Sequence, residues 1–213
     1  ADGIHVVLKG PQNIHDAVNG WAAGLILMLE SFKRAEEMPL LGKNKPEEIF
    51  NYFANEIFSK TEREVQDFLL KTAFMRDMTV TLAEELTGVS RTEQILSDLV
   101  RRNYFTIRHA PQDYKYHSLF REFLLYRART SFTEKEVKMI QRRAAQILEG
   151  SGKIEAAVEL FREISDWEEM VRIILGNAQT LFAQGRYRIV KEWLESIPGE
   201  VIEQSPYLLY CKG

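Results

Sequence analysis

Ala145-Gln146-x-Leu148, Gly152, Leu160-Phe161 and Ile164 return as Ala178-Gln179-x-Leu181, Gly185, Trp193-Leu194 and Ile197, each displaced by 33 residues. A pair of short helices cannot bury its apolar stripes alone, so a two-helix unit recurring in this way must stack on its neighbours. This period, with a glycine at the turn between the helices, is the signature of a tetratricopeptide-like solenoid. Residues 133–213 are therefore expected to be the first tetratricopeptide-like repeats of a solenoid. Two repeats rarely stand alone, so more are expected beyond Gly213.

The stretch before the repeats has a different order. Three sequences of the capping-box type, Thr61 with Glu64, Thr81 with Glu84 and Ser90 with Glu93, predict three helix starts. Gly88 and Asn103 sit where residues in the left-handed conformation end helices. Tyr104-Phe105-Thr106-Ile107-Arg108 is rich in β-branched and aromatic residues, Ala110-Pro111-Gln112-Asp113 is turn chemistry, and a second short strand follows as Tyr114-Lys115-Tyr116. Three helices and a hairpin are the order of a winged helix, expected over residues 61–132. After the hairpin, Ser118 is placed to cap a helix carrying Leu119, Phe120, Phe123 and Leu124 at helical spacing. His117 falls at the strand-to-helix junction, from which an imidazole can reach outward.

Residues 1–60 read as helices. A helix from Trp21 to about Arg34 carries Trp21, Leu25, Met28, Leu29 and Phe32 on one face, and another opens at Pro46 with Ile49, Phe50, Phe53, Ile57 and Phe58 as its buried stripe. The whole is mainly α: a helical lid or arm, a winged helix with a small β-hairpin wing, then helical repeats. The chain opens on Ala1 and stops at Gly213 just after an apolar helical run, and it is read as a section of a longer polypeptide.

What chemistry it carries is narrowed by what it lacks. Gly42-Lys43 and Gly152-Lys153 are followed by Asn44 and Ile154, so the phosphate-wrapping Gly-x-x-x-x-Gly-Lys-Ser/Thr pattern is absent. His5, His15, His109 and His117 show no metal-ligand spacing, and the carboxylates alternate with basic residues as on solvated helix faces. The lone Cys211 reads as a small packed hydrophobe, and no self-sufficient active site emerges. With a net charge of −3 there is no global attraction to nucleic acid or to an anionic membrane. The helix that would enter a DNA groove, Arg91 to Arg102, mixes Arg91, Arg101 and Arg102 with Glu93 and Asp98 instead of gathering basic groups. Local basic clusters, Arg127 with Arg129 and Lys135, or Arg142 with Arg143, are the remaining options. No apolar run is long enough to span a bilayer, and a cytoplasmic setting is expected.

The Tyr-x-Tyr-His-x-Leu-Phe-x-x-Phe-Leu pattern at Tyr114 to Leu124, with Gly20-Trp21-Ala22-Ala23-Gly24-Leu25 upstream, resembles the large ATP-binding transcriptional regulators of the MalT and LuxR type. These are members of the signal-transduction ATPases with numerous domains. The resemblance implies that His117 reaches the β-phosphate of ADP held in a neighbouring ATPase domain and keeps a resting state closed, with Gly20 and Trp21 as a second nucleotide contact. Relatives carry proline where this chain has Ala22. It also implies ADP or ATP with Mg in the parent protein and none bound to this section. The implied partners are the chain's own upstream ATPase domain, an effector on the repeats, DNA through a separate C-terminal domain, and other copies on activation. From the residues alone, two readings stay open beside it: His117 bonded to a local carbonyl in a helical scaffold, or a DNA-binding winged helix whose solenoid recruits protein.

Overall fold

The computed structural model describes residues 54–203. Residues 54–60 are helical, and α1 (Arg63–Thr72) follows after a short break. β1 (Met78–Thr79) leads directly into α2 (Val80–Thr87), and α3 (Thr92–Arg101) into a hairpin of β2 (Thr106–Ala110) and β3 (Asp113–Tyr116). α4 (Ser118–Ser131) leaves the end of β3. The sheet is antiparallel in the order β1-β3-β2, with Met78 opposite Tyr114 and Thr106 opposite Tyr116. The wing therefore has three strands where the sequence predicts two. β1 is too short to show any alternation, and it exists because β3 offers a free edge to the segment leaving α1.

Aromatic side chains join these parts. The Phe105 and Phe120 rings lie 5.0 Å apart, Tyr116 meets Phe120 edge-on at 5.8 Å, Phe120 stacks on Phe123 at 6.1 Å, and Phe123 meets Phe58 at 6.0 Å. All five are buried, and each contributes roughly 1.5–3 kcal/mol by leaving water. Ala54 and Phe58 belong to this same core, so residues 54–60 pack as part of the winged helix. Arg127 covers the Phe58 ring, with its guanidinium carbon 5.4 Å from the centroid.

The helix ends partly contradict the sequence reading. None of the three expected capping boxes forms. Thr61 donates its hydroxyl to the Phe58 carbonyl, closing the preceding helix, and α1 starts behind Glu62 without a side-chain cap. α2 starts two residues earlier than expected, because Thr79 at the end of β1 takes the capping place and accepts from the Leu82 N–H. Thr92, not Ser90, supplies the hydroxyl near the start of α3, and it donates back to Val89. Ser118 is the first helical residue of α4 instead of its cap, a place taken by His117. The glycine and asparagine expectations hold: Gly88 has φ 73° and Asn103 φ 54°.

The 33-residue repeat is reproduced in detail. α5 (Glu134–Gly150) and α6 (Ile154–Glu163) are followed by α7 (Trp167–Ala183) and α8 (Tyr187–Ser196), and every boundary of the first pair recurs 33 residues later. The turns match bond for bond. Gly152 N–H donates to Glu149 O and Lys153 N–H to Leu148 O; Gly185 N–H donates to Phe182 O and Arg186 N–H to Leu181 O; all four are 2.9 Å long. This is the Schellman arrangement, with glycine at the left-handed position, φ 79° and 72°. A short helix, α9 (Gly199–Glu203), follows. Thr133 and Glu136 form a reciprocal capping box at the start of α5. α5 packs against α2, and Arg143 reaches Glu85 at 3.1 Å, so the repeats sit directly on the winged helix.

Candidate functional site

β3 places its side chains alternately: Tyr114 and Tyr116 point into the core and Lys115 out. The Tyr116 hydroxyl lies 2.7 Å from Thr72 Oγ1, and Thr72 in turn donates to the Phe68 carbonyl at 2.7 Å, so β3 is tied to the last turn of α1. Burial pushes the Tyr116 hydroxyl well above its ordinary pKa. The next residue, His117, has extended backbone angles, φ −55° and ψ 141°, and ends the strand by capping α4. Its peptide N–H donates to the Phe105 carbonyl at 2.7 Å, and its own carbonyl accepts from Arg121 at 2.9 Å as the first helical bond. The backbone that carries the imidazole is therefore fixed from both sides.

The His117 side chain is half-buried, not fully outward. Its pKa is held below the ordinary imidazole value by desolvation, so the ring is neutral at pH 7 and carries one N–H donor. Such a group can donate to an anionic oxygen with a geometry set by the rigid junction. One turn along α4 on the same face is Arg121, which the sequence reading did not single out. Its Nε is buried without a hydrogen-bond partner among the described residues, and its pKa is lowered by burial and by the nearby Arg76 charge. The i to i+4 spacing from His117 is the signal that marks it. Gly20 and Trp21 lie outside the described residues.

Other candidate groups are engaged locally. Arg91 at the start of α3 donates to Glu62 at 2.5 Å and to Glu64 at 2.6 Å, which holds the Glu62 carboxyl below its ordinary pKa. Arg101 pairs with Asp98 at 2.7 Å. Arg142 pairs with Asp166 at 3.1 Å and Arg143 with Glu85, so that basic cluster is neutralised by neighbouring helices. Among the described residues no three His, Cys, Asp or Glu side chains gather as metal ligands would, and no helix is long and apolar enough to cross a membrane.

Comparison with known proteins gives this geometry a context. Residues 54–136 match the family model described as the MalT winged helix domain. The chain is 26% identical over 206 residues to the HTH-type transcriptional regulator MalT of Cronobacter sakazakii, and 27% identical over 201 residues to that of Serratia proteamaculans. Those alignments cover 93% and 91% of this chain but only 23% and 22% of the relatives, so the chain spans less than a quarter of their length. The match begins where Ala54 enters the aromatic core and ends at the α5 capping box. Residues 54–136 are thus a winged helix of the MalT type, in a chain that resembles a middle section of the MalT transcriptional regulators over nine-tenths of its length.

Proposed function

We propose that this chain is the regulatory middle of an ATP-dependent transcriptional regulator of the MalT type. In this reading the residues before 54 are the helical end of a nucleotide-binding module, residues 54–132 the regulatory winged helix, with 54–60 packed into its core, and residues 133–213 the first repeats of an effector-sensing solenoid. The observation that carries it is the position of His117, at the rigid strand-to-helix junction of a winged helix matching that of MalT.

ADP in the upstream ATPase domain would supply the anionic oxygen that His117 meets. A neutral, half-buried imidazole fits that role as a donor, and such a charge-assisted bond contributes on the order of 1.5–3 kcal/mol. Because the bond forms only when ADP is bound and the domains are closed, it biases a two-state equilibrium toward rest. Effector binding to the repeats would work against it: α5 rests on α2, so a shift of the solenoid pulls on the winged helix. Freed from that contact, the ATPase domain exchanges ADP for ATP with Mg and self-associates, and DNA is bound through a separate C-terminal domain. Gly20 and Trp21 provide the second nucleotide contact. The setting is the cytoplasm, and the section itself has no catalytic role.

The pairing of Arg91 and Arg101 with carboxylates disfavours direct DNA reading by α3. The test is a duplex-binding titration with this chain and a nucleotide assay on the parent protein. The chain is expected to bind duplex only weakly, while the purified parent carries ADP. Tight binding that weakens steeply with salt would favour the DNA-reading alternative instead.

A further inference from the structure

A cavity of about 510 Å³ lies between the winged helix and the two repeats. The loop after α1 contributes Arg76 and Asp77, the turn between α5 and α6 contributes Lys153, and α7 and the turn behind it contribute Asn177, Gln184 and Arg186. Its lining includes the apolar side chains of Leu148, Ile154 and Leu181, and its size is that of a small-molecule site. Three elements that are distant in sequence thus converge on one space.

The charges in it are not balanced. Glu155 is taken up by Arg186, and Asp77 faces Lys115 at 3.7 Å. Arg76 and Lys153 form no ion pair among the described residues, and Arg76 also lies close enough to Arg121 to lower its pKa. Three cations, Arg76, Lys153 and Arg186, line the space against two carboxylates, Asp77 and Glu155, so the lining keeps a net positive charge that favours an anion. Asn177 donates one N–H to the Ile173 carbonyl at 2.9 Å, which leaves its amide oxygen to accept; with Thr180 and Gln184 it supplies groups that suit hydroxyls.

We infer that this cavity binds a small hydroxylated organic anion, its phosphate or carboxylate held by Arg76 and Lys153 and its hydroxyls by Asn177, Thr180 and Gln184. Because the anion would touch both the winged helix and both repeats, its binding changes how tightly the two are joined. This deepens the effector reading proposed above and rests on it only for that regulatory consequence; it is independent of any nucleotide contact by His117.

The test is amide-resolved NMR titration of the 213-residue chain with ribose 5-phosphate, gluconate and, as the uncharged control, ribose. At least one anion is expected to saturate, with shifts centred on residues 76–77, 153–156 and 177–186. Arg76→Gln and Lys153→Gln are each expected to weaken that binding roughly tenfold, whereas Arg142→Gln on the far face of α5 leaves it unchanged. Saturation by ribose 5-phosphate alone identifies a phosphate site, and saturation by gluconate alone a carboxylate site. Binding equal to that of ribose, or unaffected by both cavity substitutions, overturns the assignment. In the parent protein, an anion that binds here but leaves ADP exchange unchanged keeps the site and removes the effector reading.

Discussion

The His117 peptide N–H donates to the Phe105 carbonyl at 2.7 Å, and Phe105 accepts it from a left-handed backbone with φ 49°. A bulky aromatic residue pays steric strain in that conformation, which persists only if its surroundings hold it. They do, because the Phe105 ring is buried against Phe120. The ring thereby sets the carbonyl that fixes the imidazole-bearing peptide. Phe105→Ala is expected to cost about 3–5 kcal/mol in urea unfolding, a loss that also loosens the junction. A cost under about 1 kcal/mol would show that the ring does not hold the turn.

The Tyr116 and Thr72 hydroxyls offer an asymmetric pair. Thr72 gives its proton to the Phe68 carbonyl, so Tyr116 is the donor between them. Tyr116→Phe leaves Thr72 still bonded and is expected to cost about 1 kcal/mol. Thr72→Val strands a buried phenol donor and is expected to cost more, about 1–3 kcal/mol, by chemical denaturation. The opposite order would mean that the donor assignment is reversed.

Gly152 and Gly185 occupy equivalent left-handed positions with open space around a would-be Cβ, so backbone strain alone decides the cost of a side chain. Gly152→Ala and Gly185→Ala should each lower stability by about 1 kcal/mol and by similar amounts in thermal unfolding. Ser165 ends α6 in the same conformation, φ 57°, and Ser165→Gly is expected to be neutral or mildly stabilising. Destabilisation by that substitution would contradict the backbone argument.

Desolvation lowers the His117 pKa in the folded chain, so the unfolded chain takes up this proton first as pH falls. The contribution is complete above the ordinary imidazole pKa of about 6.5 and is lost as pH falls through the lower folded value. Unfolding free energies measured between about pH 7 and 5 should therefore decline, and His117→Gln should flatten the upper part of that decline. An identical slope in the variant would exclude His117 as the source.

Much of this was legible before the structure. The period of the apolar positions gave the repeat boundaries because a glycine fixes where each helix must stop, and the hairpin was readable because strand propensity and turn chemistry agree. Helix starts were not, since Thr61, Thr81 and Ser90 have the right neighbours but lie where the chain gives their hydroxyls other work or none. β1 was invisible because two residues carry no period, and it is induced by the free edge of β3. His117 could be placed at its junction from sequence, but its half-burial depends on packing that local spacing does not encode. Arg121 stands one helical turn beyond His117 and could have been marked by that spacing, but its burial beside Arg76, like the cavity at Arg76 and Lys153, depends on distant segments being brought together.

In the proposed resting state, His117 donates to a diphosphate across a domain boundary. The measurement closest to that claim is the rate at which ADP leaves the parent regulator, followed with a fluorescent analogue for the unaltered protein and for His117→Ala. Loss of one charge-assisted bond predicts release faster by roughly 10- to 100-fold, with Arg129→Ala on the exposed face of α4 as an unaffected control. Equal release rates for the unaltered protein and His117→Ala would contradict it.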